Sequence, residues 1–150
     1  MIGGYFHKGS GLGDQLFRYI TTRSLAEEKG FEWGMVYPEN FKGSSFMRMD
    51  IGKAIEVDTE YIQFQEKEIR DSNGVDIRSY DPEINFVTDW TLIDGGFEDE
   101  KYWRHKVPEI RDWLKVEPLS LPDNVCVIGY RGGEYKTVLD LYLPKDYWAE

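Results

Sequence analysis

The first six residues, Met1-Ile2-Gly3-Gly4-Tyr5-Phe6, carry no charge and predict a short buried strand. A glycine-rich stretch follows, His7 to Gly13. From Asp14 to Lys29 the pattern becomes helical. Leu16, Phe17, Ile20 and Leu25 fall within one half of the circumference, and Arg18, Thr22, Arg23, Ala26 and Lys29 fall on the other. Gly30 is a natural stop for such a helix. Phe31 to Val36 then alternates large apolar residues with others and predicts a second strand. Strand, glycine-rich turn, helix and strand make a βαβ unit. That unit predicts an α/β fold with a parallel, Rossmann-like sheet, flanking helices and a right-handed crossover.

Beyond Val36 the periodicity weakens. Tyr37 to Ser45 reads as loop, and Phe46 to Glu68 follows neither the helical nor the strand period for long. Asn73-Gly74 and Asp81-Pro82 are turn signals. Phe86 to Ile93 predicts a buried strand that ends at Asp94-Gly95-Gly96. Glu98 to His105 predicts a short helix with acidic residues in its first turn, where they favour the helix dipole. Pro108 opens a second helix through Leu114, proline being welcome at a first helical position. Lys101, Tyr102 and Trp103 read as a face packing on the sheet.

Pro118 and Pro122, within an aperiodic stretch from Glu117 to Asn124, mark the boundary in the chain. The predicted organisation is therefore an N-terminal α/β domain over residues 1–117, a linker over 118–124, and the start of a second domain over 125–150. That start comprises a strand from Val125 to Tyr130, a turn from Arg131 to Glu134 and a helix opening at Pro144. Half a βαβ unit has nothing of its own to pack against, so the second domain is expected to be truncated.

Composition narrows the class. With 41% hydrophobic and 15% aromatic residues a core can form, which excludes a disordered or collagen-like chain; the aromatics suit a core and a sugar- or base-stacking site equally. Eighteen basic against 28 acidic residues give a formal net charge of -10, which argues against nucleic acid and anionic membrane as partners. No leader-like start and no apolar run of about 20 residues occurs, so a cytoplasmic protein without a membrane span is expected. The single cysteine, Cys126, lies among Val125, Val127 and Ile128 and reads as a small core residue. No metal is expected: there is no Asp-x-Asp, His7 and His105 stand apart and read as structural, and Glu98-Asp99-Glu100 reads as a solvated helix start. No cofactor is expected.

Two places carry candidate chemistry. Gly9, Gly11 and Gly13 lie between a strand and a helix, where glycine lets a ligand approach the backbone and free helix N–H groups favour an anion. The spacing is neither the dinucleotide G-x-G-x-x-G nor the P-loop pattern. By itself the turn fits a tight βα connection capped by Asp14 as well as it fits a ligand site. Asp14 could equally accept a hydrogen bond from a sugar hydroxyl or act as a base. Arg131 lies at the carboxyl end of a predicted strand, where a guanidinium fork fits a phosphate; a plain surface arginine is the equal alternative. A dinucleotide site would also need an acidic residue closing the second strand, and Met35-Val36-Tyr37-Pro38 offers none before Glu39, so that reading ranks last.

Three segments, in order, match one family. Gly11-Leu12-Gly13-Asp14-Gln15-Leu16-Phe17-Arg18-Tyr19 resembles the opening G-L-G-N-Q-[LM]-F-Q-Y of the family 11 glycosyltransferases, the alpha-1,2-fucosyltransferases. Asp94 to Trp103 is similar to that family's G-Y-F-Q-S-E-K-Y-F, and Val127 to Tyr135 to its V-H-[IV]-R-R-G-D-Y. The resemblance spans about the first half of a family member. It implies two facing α/β domains, with residues 1–117 on the acceptor side, and inverting, metal-independent transfer of fucose from GDP-fucose to a glycan hydroxyl. It implies donor binding by Gly11, Leu12, Gly13, Gln15, Arg131 and Gly133, with Arg131 on the diphosphate and Asp14 as candidate base. The motif histidine, second arginine and aspartate are replaced by Gly129, Gly132 and Glu134, and the first motif's asparagine by Asp14. Losing the second arginine removes a positive charge from the diphosphate site. A non-catalytic glycan or nucleotide-sugar binding module derived from the family is the alternative.

Overall fold

The computed structural model describes residues 1–57, 60–74, 76–77, 79–116 and 120–126. The chain divides into two compact units, Met1–Glu117 and Pro118–Glu150. The first unit holds, in order, β1 (Ile2–Tyr5), α1 (Leu12–Lys29), β2 (Trp33–Val36), β3 (Lys53–Ile55), β4 (Ile62–Gln65), β5 (Ile69–Arg70), β6 (Asp76–Ile77), β7 (Thr91–Asp94) and α2 (Val107–Trp113). Five strands form one sheet in the order β3-β2-β1-β7-β4, and every pairing in it is parallel. Ile2 sits opposite Trp33 on one side and Thr91 on the other, so β1 is the sheet's centre. A separate antiparallel hairpin, β5-β6, turns at Asn73-Gly74.

α1 lies against the middle of the sheet because β1 has no side chains there. A Cβ on Gly4 would fall on Thr22 Oγ1, and one on Gly3 would fall on Leu92 and Ile55 on the other face. Thr22 and Ala26, expected on the outward half of the helix, are therefore fully buried. Small residues at these positions let the helix settle close, and α1 buries residues around most of its circumference. Ile2, Leu25, Ala26 and Ile93 pack with Phe97 and Tyr102 at one end of the helix. Phe6, Tyr19, Ile20 and Met35 pack with Phe41 and Ile110 at the other. Across the sheet, Tyr5, Val36, Ile55 and Leu92 form a smaller cluster. Gly30 takes the left-handed conformation that ends α1, φ 70°, donating to the Ala26 and Glu27 carbonyls.

Several boundaries differ from the expectation. α1 starts at Leu12, two residues before Asp14. Phe86 is 81% exposed and closes a 3₁₀ turn, Pro82–Phe86; the strand begins only at Thr91. An apolar Phe-Val pair supplied the strand signal, but Asp81 nucleates a tight turn by accepting the Glu83 N–H at 3.0 Å. Glu98 to His105 is not one helix but holds two 3₁₀ turns, Glu100–Tyr102 and Arg104–Lys106; Tyr102 is buried, and Trp103, between the turns, is half-buried against the core. Asp99 caps the first, accepting the Lys101 N–H at 2.9 Å. Pro108 occupies the second rather than the first position of α2. In the second unit, Cys126 is exposed and not a core residue. Val125 and Cys126 are not in a strand; the rest of that predicted strand, Arg131 and the helix from Pro144 lie outside the described residues. Among the described residues no helix is long and apolar enough to cross a membrane.

Candidate functional site

From β1 the chain builds outward through β2 and β3 on one side, then crosses to β4 and returns to place β7 beside β1. β1 and β7 are parallel neighbours at the middle of the sheet, so both end at the same edge. In open parallel sheets ligands bind beyond the carboxyl ends of the strands. Three ionisable side chains converge there. His7 stands two residues past β1, and its Nε2 lies 2.9 Å from both Asp94 Oδ1 and Asp94 Oδ2, at the end of β7. Arg18, from the second turn of α1, donates through Nε to the Gly95 carbonyl at 2.7 Å and through Nη1 to Ser10 Oγ at 2.9 Å. Its Nε lies 3.8 Å from Asp94 Oδ1. Asp94 Oδ1 also accepts the Gly95 N–H at 2.9 Å.

Neighbouring groups hold this cluster. The Tyr5 ring stacks on His7 with centroids 5.1 Å apart and planes 3° from parallel, and the Tyr5 hydroxyl donates to Gln63 Oε1 of β4 at 3.1 Å. Glu66, just beyond β4, accepts the N–H groups of Gly96 and Phe97 on Oε2 at 2.6 and 3.0 Å. Its Oε1 accepts the Tyr102 hydroxyl at 2.7 Å, and the Tyr102 oxygen in turn accepts the Asp81 N–H at 2.7 Å. Burial, followed by the bond to the Glu66 carboxylate, pushes the Tyr102 phenol well above its ordinary range, with the Asp81 N–H pulling the other way. Phe97 is fully buried at φ 51°, a left-handed conformation that costs a non-glycine residue on the order of 1–3 kcal/mol. Glu66's hold on the Gly96 and Phe97 amides fixes it there.

Of these, His7, Arg18, Glu66, Asp94, Gly95 and Gly96 line a polar cleft of about 350 Å³, whose ionisable groups are His7, Arg18, Glu66, Lys67, Glu68 and Asp94. Lys67 is paired with Glu83 at 2.5 Å and Glu68 with Arg70 at 3.3 Å, both in exposed ion pairs. That leaves two carboxylates, Glu66 and Asp94, against one fixed cation, Arg18. Such a balance suits a neutral, hydroxyl-rich ligand and disfavours a diphosphate. A larger apolar cavity, about 440 Å³, lies at the opposite, amino ends of β4 and β7 around Ile62, Phe86 and Thr91. Its polar lining is Gln63, Thr88, Thr91 and Glu83, the last being the residue paired with Lys67.

The residues expected from sequence are placed as follows. Gly11, not Asp14, is the N-cap of α1; Asp14 is the third helical residue, exposed, and its Oδ2 accepts the Gly11 N–H at 3.0 Å. Gly9 has φ 91°, which requires glycine, and a Cβ on Gly13 would meet nothing within 4 Å. Leu12 packs with the core cluster under α1. Gln15 is fully buried: its Nε2 donates to the Asn40 carbonyl and its Oε1 accepts the Lys42 N–H, both at 2.9 Å. Its amide thus ties α1 to the loop after β2. Arg131 and Gly133 lie outside the described residues. His105 pairs with Glu28 at 3.3 Å at the surface. Among the described residues no group of three or more His, Cys, Asp or Glu could hold a metal ion.

His7, Asp94, Arg18 and Glu66 escape the sequence reading. His7 and Asp94 each close a predicted strand, the position where ligands gather in parallel sheets. That they are neighbours follows from strand order, which no local pattern contains. Fold and cleft together define a parallel-sheet α/β protein, compatible with a Rossmann-like fold, whose polar groups converge at the carboxyl edge. No family model, no curated protein and no solved structure matches the chain.

Proposed function

We propose that the chain is the acceptor-side α/β part of a fucosyltransferase-like, inverting, metal-independent glycosyltransferase. The cleft between β1 and β7 would receive a neutral glycan, and Arg131 would bind the diphosphate of a nucleotide-diphosphate sugar such as GDP-fucose. One observation carries this reading. Two of the three segments that resemble family 11, far apart in sequence, are joined at the carboxyl edge by the Arg18 Nε bond to the Gly95 carbonyl. The charge balance of the cleft adds support, since it suits the neutral partner of such a reaction.

The second reading, a glycan-binding module without transfer, is favoured by Gly129 and Gly132 where the family has His and Arg. Incubation of the chain with GDP-fucose and a panel of neutral oligosaccharides, following GDP release and the anomeric configuration of the product, tests the first. Weak transfer, with inversion, is the expected result from this chain, since the second domain is expected to be truncated. Calorimetric binding of glycan with no nucleotide dependence and no transfer supports the module instead. Absence of both glycan and nucleotide binding overturns the two together.

A further inference from the structure

We infer that His7 is the group in this cleft that accepts a proton from a bound hydroxyl, with Asp94 as its positioning residue. The nature of the reaction rests on the proposed function; the proton-accepting geometry does not. A carboxylate can only accept hydrogen bonds. With both Asp94 oxygens 2.9 Å from Nε2, that nitrogen must carry the hydrogen, and in the unprotonated ring Nδ1 then holds the free electron pair. Among the described residues nothing hydrogen-bonds to Nδ1, and the side chain is 37% exposed. The ring is not free to turn: Tyr5 is stacked on one face. Asp94 is not free to swing either, held by the Gly95 N–H and by Arg18. A base oriented by a third group, itself fixed, is the arrangement general-base chemistry needs. The ionisable groups that share the cleft with this ring are Asp94, Arg18, Glu66, Lys67 and Glu68; Tyr5 stacks on the ring and Tyr37 lies against Tyr5.

Asp14, the base suggested by sequence, is less suited to this task. Its carboxylate already accepts the Gly11 N–H, and no described side chain orients it. In the transfer step the acceptor hydroxyl gives its proton to Nδ1. The oxygen's electron pair forms the bond to the anomeric carbon. The bond from that carbon to the β-phosphate oxygen breaks, its electron pair leaving with the nucleoside diphosphate. The imidazolium, stabilised by Asp94, then returns the proton to solvent.

Two measurements on the ¹⁵N-labelled chain test this. Long-range ¹H–¹⁵N spectra should show His7 with the hydrogen on Nε2, and titration with galactose, mannose and N-acetylglucosamine should shift the Nδ1 resonance. Asp94→Asn, which can donate to the ring, should abolish the tautomer preference and that response. A hydrogen on Nδ1, or an Nδ1 unmoved by every sugar, overturns the assignment. In the transfer assay His7→Gln should lower kcat by roughly 10²–10⁴-fold with GDP-fucose binding unchanged. Undiminished transfer by His7→Gln also overturns it. A wild-type chain that transfers nothing, yet whose His7 Nδ1 responds to sugar, removes the transferase reading and leaves the proton-accepting pair standing.

Discussion

Gly4 sets how closely α1 can approach the sheet. Alanine there would place a methyl group on Thr22 Oγ1, whose own hydroxyl is held by the Arg18 carbonyl at 2.7 Å. Gly4→Ala should therefore cost about 1–3 kcal/mol in urea unfolding, and pairing it with Thr22→Ala should recover part of the loss. Tyr102 is the second residue whose role is single-valued. Tyr102→Phe leaves the buried Asp81 N–H without a partner and takes one from the half-buried Glu66 Oε1, a cost of about 1–3 kcal/mol at neutral pH. Because folding favours the protonated phenol, its stabilisation is whole below the ordinary tyrosine pKa of about 10 and is lost as pH rises toward the raised folded value. Tyr5 and Tyr19 are raised by burial in the same direction. Unfolding free energy should thus fall with pH above about 10, and fall less steeply in Tyr102→Phe than in the parent chain.

The elements that local patterns specify are the ones buried in a simple way. β1, α1 and β2 follow from an uncharged run, a helical period and an alternating stretch, and the parallel pairing of β1 with β2 follows from their connection. β3 and β4 are the two edges of the sheet and expose most of their residues, so neither carries an apolar period to read. The start of α1 was legible in its glycines but not in its cap. Gly11 caps the helix, and Asp14 supports it one turn in by accepting the Gly11 N–H. Asp14→Ala should cost about 1 kcal/mol in thermal or urea unfolding, through the lost bond and the lost charge near the helix N-terminus. Gly13→Ala tests the same turn from the other side. Its methyl group would enter open space, so the helix should gain up to about 1 kcal/mol. If the turn also holds the donor, as the resemblance to family 11 implies, affinity for GDP-fucose should fall although the fold is firmer.

At the scale of the whole molecule, the proposed function assigns its two ligands by charge. The chain carries -10, and the described cleft adds two carboxylates to one fixed cation, so an anionic donor approaching it meets repulsion. Over distances beyond about 10 Å that repulsion is screened at 0.1 M salt, whereas a direct guanidinium–phosphate contact is weakened by the same salt. The two placements of the donor therefore differ in sign. A diphosphate held by Arg131 should bind less tightly as salt is raised, and Arg131→Gln should remove that dependence. A diphosphate lodged in the cleft beside Glu66 and Asp94 should bind more tightly with added salt. The neutral acceptor should bind equally well at low and high salt in either case. We expect the first pattern for GDP-fucose and a flat response for neutral sugars in salt-dependent calorimetry. Strengthening of donor binding with salt would move the diphosphate into the cleft and displace the acceptor from beside His7.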